Sequence, residues 1–218
     1  KGFYVNQGWG GDTGEWVAAD LFFTGRIKPH RAYVDDVVAY RDSTRYFYYD
    51  LGHDGGLDKT QSPWGWPVNV RPLVGDFDRD RVLDDLGMYI YAHGTNSVRY
   101  DWKFDFNSNR SNDAELDAWV WNNDGWPIAL DLDRDGWVDD LGVYIPSLRS
   151  WRWNRDYTGA SDGSALDWGF SDNDRPVSGD FDSDGYHDDI ALFTPANTGG
   201  TWRFNYNAGG TNGGFNTS

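Results

Sequence analysis

Hydrophobic and polar positions follow one order along the chain, and that order occurs four times. Each repeat contains a short apolar run and then a run in which aromatic and other side chains alternate, which is the period of a β-strand. No stretch has the period of an amphipathic helix. The sequence predicts apolar strands at Val37–Tyr40, Leu86–Ile90, Leu141–Ile145 and Ile190–Phe193, and aromatic strands at 46–48, 102–104, 151–153 and 202–204.

A further strand of each repeat is marked by a tryptophan, at Trp64, Trp119 and Trp168. With the strand that precedes each loop, the repeat has four short antiparallel strands in about 50 residues, the content of one propeller blade. The last repeat reaches Ser218 before its fourth strand, whereas an additional strand is predicted around Phe3 to Trp9. We therefore expect the N-terminal strand to complete the last blade.

The predicted fold is a single all-β domain, a four-bladed β-propeller of four-stranded antiparallel blades closed by the N-terminal strand. Its aromatic residues are expected to pack between blades, with Trp102, Trp151 and Trp202 in the core. If the terminal strand pairs with another molecule instead, the same edge builds a filament. The predicted blades are residues 15–70, 71–126, 127–175 and 176–218, the last completed by 1–14.

Three of the loops between strands carry aspartates at positions 1, 3, 5 and 9. Two carboxylates about 5 Å apart repel by about 3 kcal/mol at an effective dielectric constant of about 20, so a bound cation is needed to hold several together. Oxygen ligands at loop positions 1, 3, 5, 7 and 9 are typical of Ca²⁺, and the recurrence disfavours simple solvated turns. The predicted ligands of three Ca²⁺ ions, with a backbone carbonyl at position 7, are Asp76, Asp78, Asp80, Val82 and Asp84; Asp131, Asp133, Asp135, Trp137 and Asp139; and Asp180, Asp182, Asp184, Tyr186 and Asp188.

Two departures from this pattern weaken individual sites. Arg81 stands at position 6, where the other two loops have glycine, and costs about 1 kcal/mol or more if the backbone there needs a positive φ. A degenerate fourth copy is predicted to begin at Asp20, with Phe22 and Thr24 in place of its second and third carboxylates. We expect little or no calcium in that copy.

The composition restricts the partners and the location of the protein. The formal net charge of −16 excludes nucleic acid and anionic membranes as favourable partners. No cysteine is present and the four histidines are scattered, which argues against a zinc site. The chain has no apolar run long enough to insert into a membrane. Calcium sites of this type fill where free calcium is abundant, and a chain that begins at Lys1 suggests processing, so an extracellular or cell-surface location is expected.

The loop and its surroundings resemble a known repeat. Gly75-Asp76-Phe77-Asp78 and Gly179-Asp180-Phe181-Asp182 each open a GDFDxDxxxDD-like segment, followed by an apolar strand and a Trp-x-aromatic strand. These features resemble the FG-GAP or VCBS repeats of integrin-like propellers, over essentially the whole chain, although that family usually has more than four blades. The resemblance implies a calcium-stabilised propeller used for adhesion or ligand binding; relatives include lectins and domains attached to enzymes.

Three classes of function remain open at the level of the sequence. A binding scaffold is expected, for glycans or a protein partner, with sugar-stacking candidates at Trp66, Trp121, Trp126 and Trp137, the tryptophans that break the repeat. A filament built from copies of the chain is the second. A glycan hydrolase is the third, but the paired aspartates that it requires are repeated in every loop, and neither Glu15 nor Glu115 stands out as an acid. We therefore predict that the protein is not an enzyme.

Overall fold

The described residues fold into four antiparallel sheets. In the part of the chain that the computed structural model describes, fourteen strands form, and a 3₁₀ turn lies at Pro146–Leu148. The prediction of an all-β fold is therefore confirmed. The described residues are 21–25, 36–41, 44, 46–50, 56–61, 70–81, 85–93, 98–106, 109–117, 124–155, 168–196, 199–206 and 208.

Each sheet is a meander in which strands that follow one another in the chain lie side by side. The first sheet contains β1 (Leu21–Gly25), β2 (Asp36–Arg41), β3 (Tyr46–Asp50) and β4 (Lys59–Gln61). The second contains β5 (Val70–Gly75), β6 (Asp85–His93), β7 (Val98–Asp105) and β8 (Ala114–Asp117). The third contains β9 (Trp126–Leu130), β10 (Asp140–Ile145) and β11 (Ser150–Asn154), and the fourth contains β12 (Arg175–Gly179), β13 (Asp189–Pro195) and β14 (Gly200–Asn205).

The predicted apolar strands are the second strands of the four sheets, and the predicted aromatic strands are the third. The acidic loops connect the first and second strands, as predicted; we call them loop II (76–84), loop III (131–139) and loop IV (180–188). Of the tryptophans predicted to mark fourth strands, Trp64 and Trp119 lie outside the described residues. The prediction is wrong for Trp168, which lies in no strand and whose carbonyl accepts a hydrogen bond from Trp151 Nε1 at 2.9 Å.

The register of the first sheet corrects the position of the degenerate loop. Gly25 at the end of β1 pairs with Asp36, just as Gly75 pairs with Asp85 and Gly179 with Asp189. Phe22 and Thr24 are therefore residues of β1 and not failed ligands, and Asp20 precedes the strand. The segment that corresponds to the acidic loops is 26–35, which lies outside the described residues and has no acidic residue before Asp35.

Buried side chains fill the spaces between consecutive sheets. Tyr40 and Phe47 of the first sheet cluster with Leu86 and Met88 of the second. A second cluster joins the second and third sheets around Trp102, and a third joins the third and fourth sheets around Trp151. The first strands also contact one another in order, β1 with β5, β5 with β9 and β9 with β12.

The prediction that equivalent tryptophans are buried holds for two of the three. Trp102 and Trp151 are fully buried, whereas Trp202 is 37% exposed. The first two lie between their own sheet and the next one, but Trp202 belongs to the last sheet. Among the described residues, no buried cluster joins the fourth sheet to the first. Trp202 packs instead within its own sheet, with its ring centroid 4.9 Å from that of Phe193.

Candidate metal centre

Loops II, III and IV each bring the carboxylates of positions 1, 3 and 5 together. In each loop, one oxygen from each of the three aspartates lies within 4.8 Å of the other two. The aspartate at position 3 fixes the turn, because its Oδ1 accepts the backbone N–H of position 5. This distance is 3.0 Å in loop II, 3.1 Å in loop III and 3.0 Å in loop IV. The three groups are Asp76, Asp78 and Asp80; Asp131, Asp133 and Asp135; and Asp180, Asp182 and Asp184.

Position 6 turns each loop back towards its first carboxylate. The N–H of Gly136 donates to Asp131 Oδ2 at 3.1 Å, and that of Arg81 donates to Asp76 Oδ2 at 3.0 Å. This turn requires a left-handed backbone, with φ of 95° at Gly136 and 75° at Arg81. The sequence-based concern about Arg81 is therefore justified, since a side chain there adopts a conformation that favours glycine.

The second aspartate of each Asp-Asp pair has a structural role that the sequence did not reveal. Asp140 Oδ2 accepts the backbone N–H groups of Leu132 and Asp133 at 2.6 and 3.1 Å. Asp189 Oδ2 accepts the corresponding two N–H groups of loop IV at 2.6 and 3.0 Å. Position 10 thus closes the loop from behind, which leaves positions 1, 3 and 5 to face a ligand.

Asp131 gives the clearest indication that a cation belongs in loop III. The residue is only 2% exposed, and within the described residues its Oδ1 has no hydrogen-bonding partner. Burial, together with the charges of Asp133 and Asp135, raises the pKa of Asp131 to about 6. A buried carboxylate oxygen without a partner is costly unless a cation binds it. The three oxygens match the hard oxygen ligands that Ca²⁺ prefers.

The predicted ligands at position 9 have a different environment. Asp139 and Asp188 are buried, and their Oδ2 atoms bind arginines of the preceding loop. Arg79 Nε donates to Asp139 at 2.8 Å, and Arg134 Nε donates to Asp188 at 2.9 Å. Burial raises the pKa of Asp188, and the hydrogen bond from Arg134 opposes that shift. Val82 and Asp84 of loop II lie outside the described residues.

The tryptophans proposed for sugar stacking have varied surroundings. Trp126 is half-buried, and the guanidinium groups of Arg71 and Arg175 lie 4.1 and 4.4 Å from its ring centroid. Trp137 is half-buried, with Arg81 at 5.3 Å from its ring centroid. The rings of both residues therefore already contact cations. Trp66 and Trp121 lie outside the described residues.

The glutamate considered as a general acid is an exposed ion-pair residue. Glu115 Oε1 accepts a hydrogen bond from Lys103 Nζ at 2.7 Å, which lowers the pKa of Glu115. A general acid requires the opposite shift, towards neutral pH. Glu15 lies outside the described residues.

Comparison of the chain with protein-family models, with curated proteins and with solved structures found no match. No helix within the described residues has the length and apolar character needed to cross a membrane. Assignment of a function therefore depends on the geometry of the loops and sheets themselves.

Proposed function

We propose that the protein is a calcium-stabilised four-bladed β-propeller that acts as an extracellular or cell-surface binding scaffold. The single observation that carries the metal assignment is Asp131 Oδ1, a buried carboxylate oxygen without a hydrogen bond beside two further carboxylates. Three Ca²⁺ ions would be held by positions 1, 3 and 5 of loops II, III and IV. Each ion would neutralise carboxylates that otherwise repel one another.

The propeller arrangement is supported by the relation between the sheets. All four are antiparallel meanders, and their first strands contact in the order β1, β5, β9 and β12. Hydrophobic clusters lie between consecutive sheets, as they do between propeller blades. The N-terminal strand, predicted around Phe3 to Trp9, would complete the last blade and close the ring.

A scaffold role is favoured over hydrolysis because the carboxylates are used alike in every acidic loop. A glycan hydrolase needs two carboxyl groups with different environments, one of them a protonated acid. In loops II to IV the same positions make the same backbone hydrogen bonds, which is typical of a structural site. The proposed partner is a glycan or another protein.

Ion counting and thermal unfolding test the metal assignment. We expect three calcium ions per chain, and two after Asp133→Ala, because loop III then lacks its position 3 ligand. A site held at 100 times its Kd adds about 2.7 kcal/mol, and each kcal/mol shifts the Tm by roughly 2–4 °C in a chain of this size. Excess chelator should therefore lower the Tm by many degrees.

Asp172→Ala is the matched control, since this exposed carboxylate lies outside the three loops and its loss should leave three ions bound. A Tm that does not respond to chelator would refute the assignment.

A glycan array and a panel of chromogenic glycosides test the scaffold role. Turnover that one aspartate substitution abolishes would overturn it in favour of a hydrolase.

A filament is the second candidate, favoured by the fourth sheet. Its third strand, β14, has no further strand beside it among the described residues, and its Trp202 is 37% exposed. An edge of this kind can accept a strand from the same chain or from a second copy. The oligomeric state distinguishes these two arrangements.

A further inference from the structure

Arginines at position 4 of two loops extend to the carboxylates of the following loop. Arg79 of loop II contacts Asp139 through Nε at 2.8 Å and Nη2 at 2.7 Å, and its Nη1 lies 3.7 Å from Asp135. Arg134 of loop III contacts Asp188 through Nε at 2.9 Å and Asp184 through Nη2 at 3.0 Å. Each arginine therefore contacts positions 5 and 9 of the next loop.

The atoms involved leave Oδ1 of Asp188 outside the arginine contact. Both arginines contact Oδ2 of their partners. Asp188 is fully buried, and its Oδ1 has no hydrogen-bonding partner within the described residues. A guanidinium group that holds one oxygen of a carboxylate fixes the direction of the other. Oδ1 of Asp188 is thus available to a cation while Oδ2 is held from the neighbouring sheet.

Backbone hydrogen bonds connect the same loops. The N–H of Asp76, at position 1 of loop II, donates to the carbonyl of Val138 in loop III at 2.9 Å. The N–H of Asp131 donates in the same way to the carbonyl of His187 in loop IV at 2.9 Å. In both cases the accepting carbonyl belongs to position 8 of the later loop. The relative position of two consecutive loops is therefore fixed at the residues that would bind the ions.

We propose that Arg79 and Arg134 are positioning residues for the metal site of the following loop, so that these sites are each built from two sheets. The inference rests on the proposed calcium sites. Residues that hydrogen-bond to ligating carboxylates orient them, and their loss typically costs 10–100-fold in metal affinity. Arg79 should therefore control loop III and not loop II, in which it lies.

The test uses a background in which only loop III can bind metal. Asp78→Ala with Asp182→Ala removes an exposed position 3 ligand from each of loops II and IV. Calcium affinity is then measured by calorimetry with and without Arg79→Gln. We expect Arg79→Gln to weaken binding 10–100-fold, although its own loop no longer binds metal. Arg79→Lys keeps the charge but loses the planar fork, and should weaken binding less.

Arg149→Gln is the matched control, because it removes the same charge from an exposed arginine that lies outside the three loops, with its Nε 3.7 Å from Asp172. Its affinity should equal that of the background. Equal or tighter binding by a folded Arg79→Gln variant would overturn the inference, tighter binding showing that the guanidinium competes with the ion. A background that binds no calcium would instead refute the proposed metal site in loop III.

Discussion

The two aspartates at the end of each acidic loop look equivalent in sequence and are used differently in the structure. Asp139 and Asp188 bind an arginine of the preceding loop, whereas Asp140 and Asp189 accept backbone N–H groups of their own loop. The spacing of the aspartates predicts position 9 as a metal ligand. It does not predict that position 10 binds the backbone of its own loop, because backbone N–H groups are present at every position and leave no mark in the sequence.

Asp140→Ala tests this structural role. The substitution removes the acceptor of the Leu132 and Asp133 N–H groups, and Leu132 is buried. An unsatisfied buried donor costs about 1–3 kcal/mol, so the free energy of unfolding should fall by that amount in chelator as well as in calcium. Chemical denaturation in both conditions measures it. A loss that appears only in calcium would show that Asp140 acts as a ligand.

Asp105 should make stability depend on pH. This fully buried carboxyl accepts the N–H of Arg110 at 2.9 Å, and burial raises its pKa from 3.8 to about 6. The folded state therefore binds a proton more tightly than the unfolded state, and the free energy of unfolding falls as pH rises from about 4 to 6. The fall attributable to this group is up to about 3 kcal/mol. Asp105→Asn should flatten the profile, as measured by denaturation across this pH range.

Asp172→Asn is the control, because it removes one carboxylate from an exposed position. Its profile of stability against pH should have the same slope as that of the wild type. An Asp105→Asn profile as steep as the wild type would assign the pH dependence to other groups.

The sequence pattern also did not predict the contacts that the arginines of one loop make with the next loop. Arg79 and Asp139 are 60 residues apart, and Arg134 and Asp188 are 54 apart. Such contacts depend on how two sheets face each other, which strand periodicity does not encode. The repetition of the arginine at position 4 of loops II and III was the available signal, and Ser183 at that position of loop IV interrupts it.

At the scale of elements, the apolar runs located the second strands of all four sheets, and period-two alternation located the third strands. The tryptophan marker of the fourth strand failed at Trp168, which lies in no strand, whereas Trp64 and Trp119 lie outside the described residues. Trp168 is instead a packing residue, and its ring centroid lies 6.4 Å from that of Trp151. A large aromatic residue marks burial, and burial between sheets does not require a strand.

The close packing between strands can be tested at Gly142 in β10. A Cβ at this position would lie 2.6 Å from Trp153 Cζ3 and 2.8 Å from Ile128 Cγ1. Gly142→Ala should therefore force both side chains to move and lower the free energy of unfolding by about 1–3 kcal/mol. Gly136→Ala is a useful contrast, because nothing lies within 4 Å of a Cβ there and only its φ of 95° opposes the change. Denaturation of both variants in chelator separates overpacking from backbone strain.

At the scale of the whole molecule, the described sheets form a series with two unlike ends. Hydrophobic clusters join the first sheet to the second, the second to the third and the third to the fourth. The sequence predicted this repetition well, because every sheet uses the same order of strands. It predicted the burial of Trp202 wrongly, because among the described residues the buried clusters join consecutive sheets and none joins the fourth sheet to the first.

Deletion of residues 1–12 tests how the two ends meet. If the predicted strand at Phe3 to Trp9 completes the last blade within one chain, its removal leaves β14 as an open edge. We expect a lower Tm and a monomer that associates at high concentration, because unpaired edges template further pairing. Light scattering and thermal unfolding measure both effects, with deletion of Lys1 and Gly2 alone as the control.

A stable, soluble unit that loses the ability to polymerise would support the filament instead. A protein that the deletion leaves unchanged in stability and in association would refute both arrangements, because each requires this strand to pair with the fourth sheet.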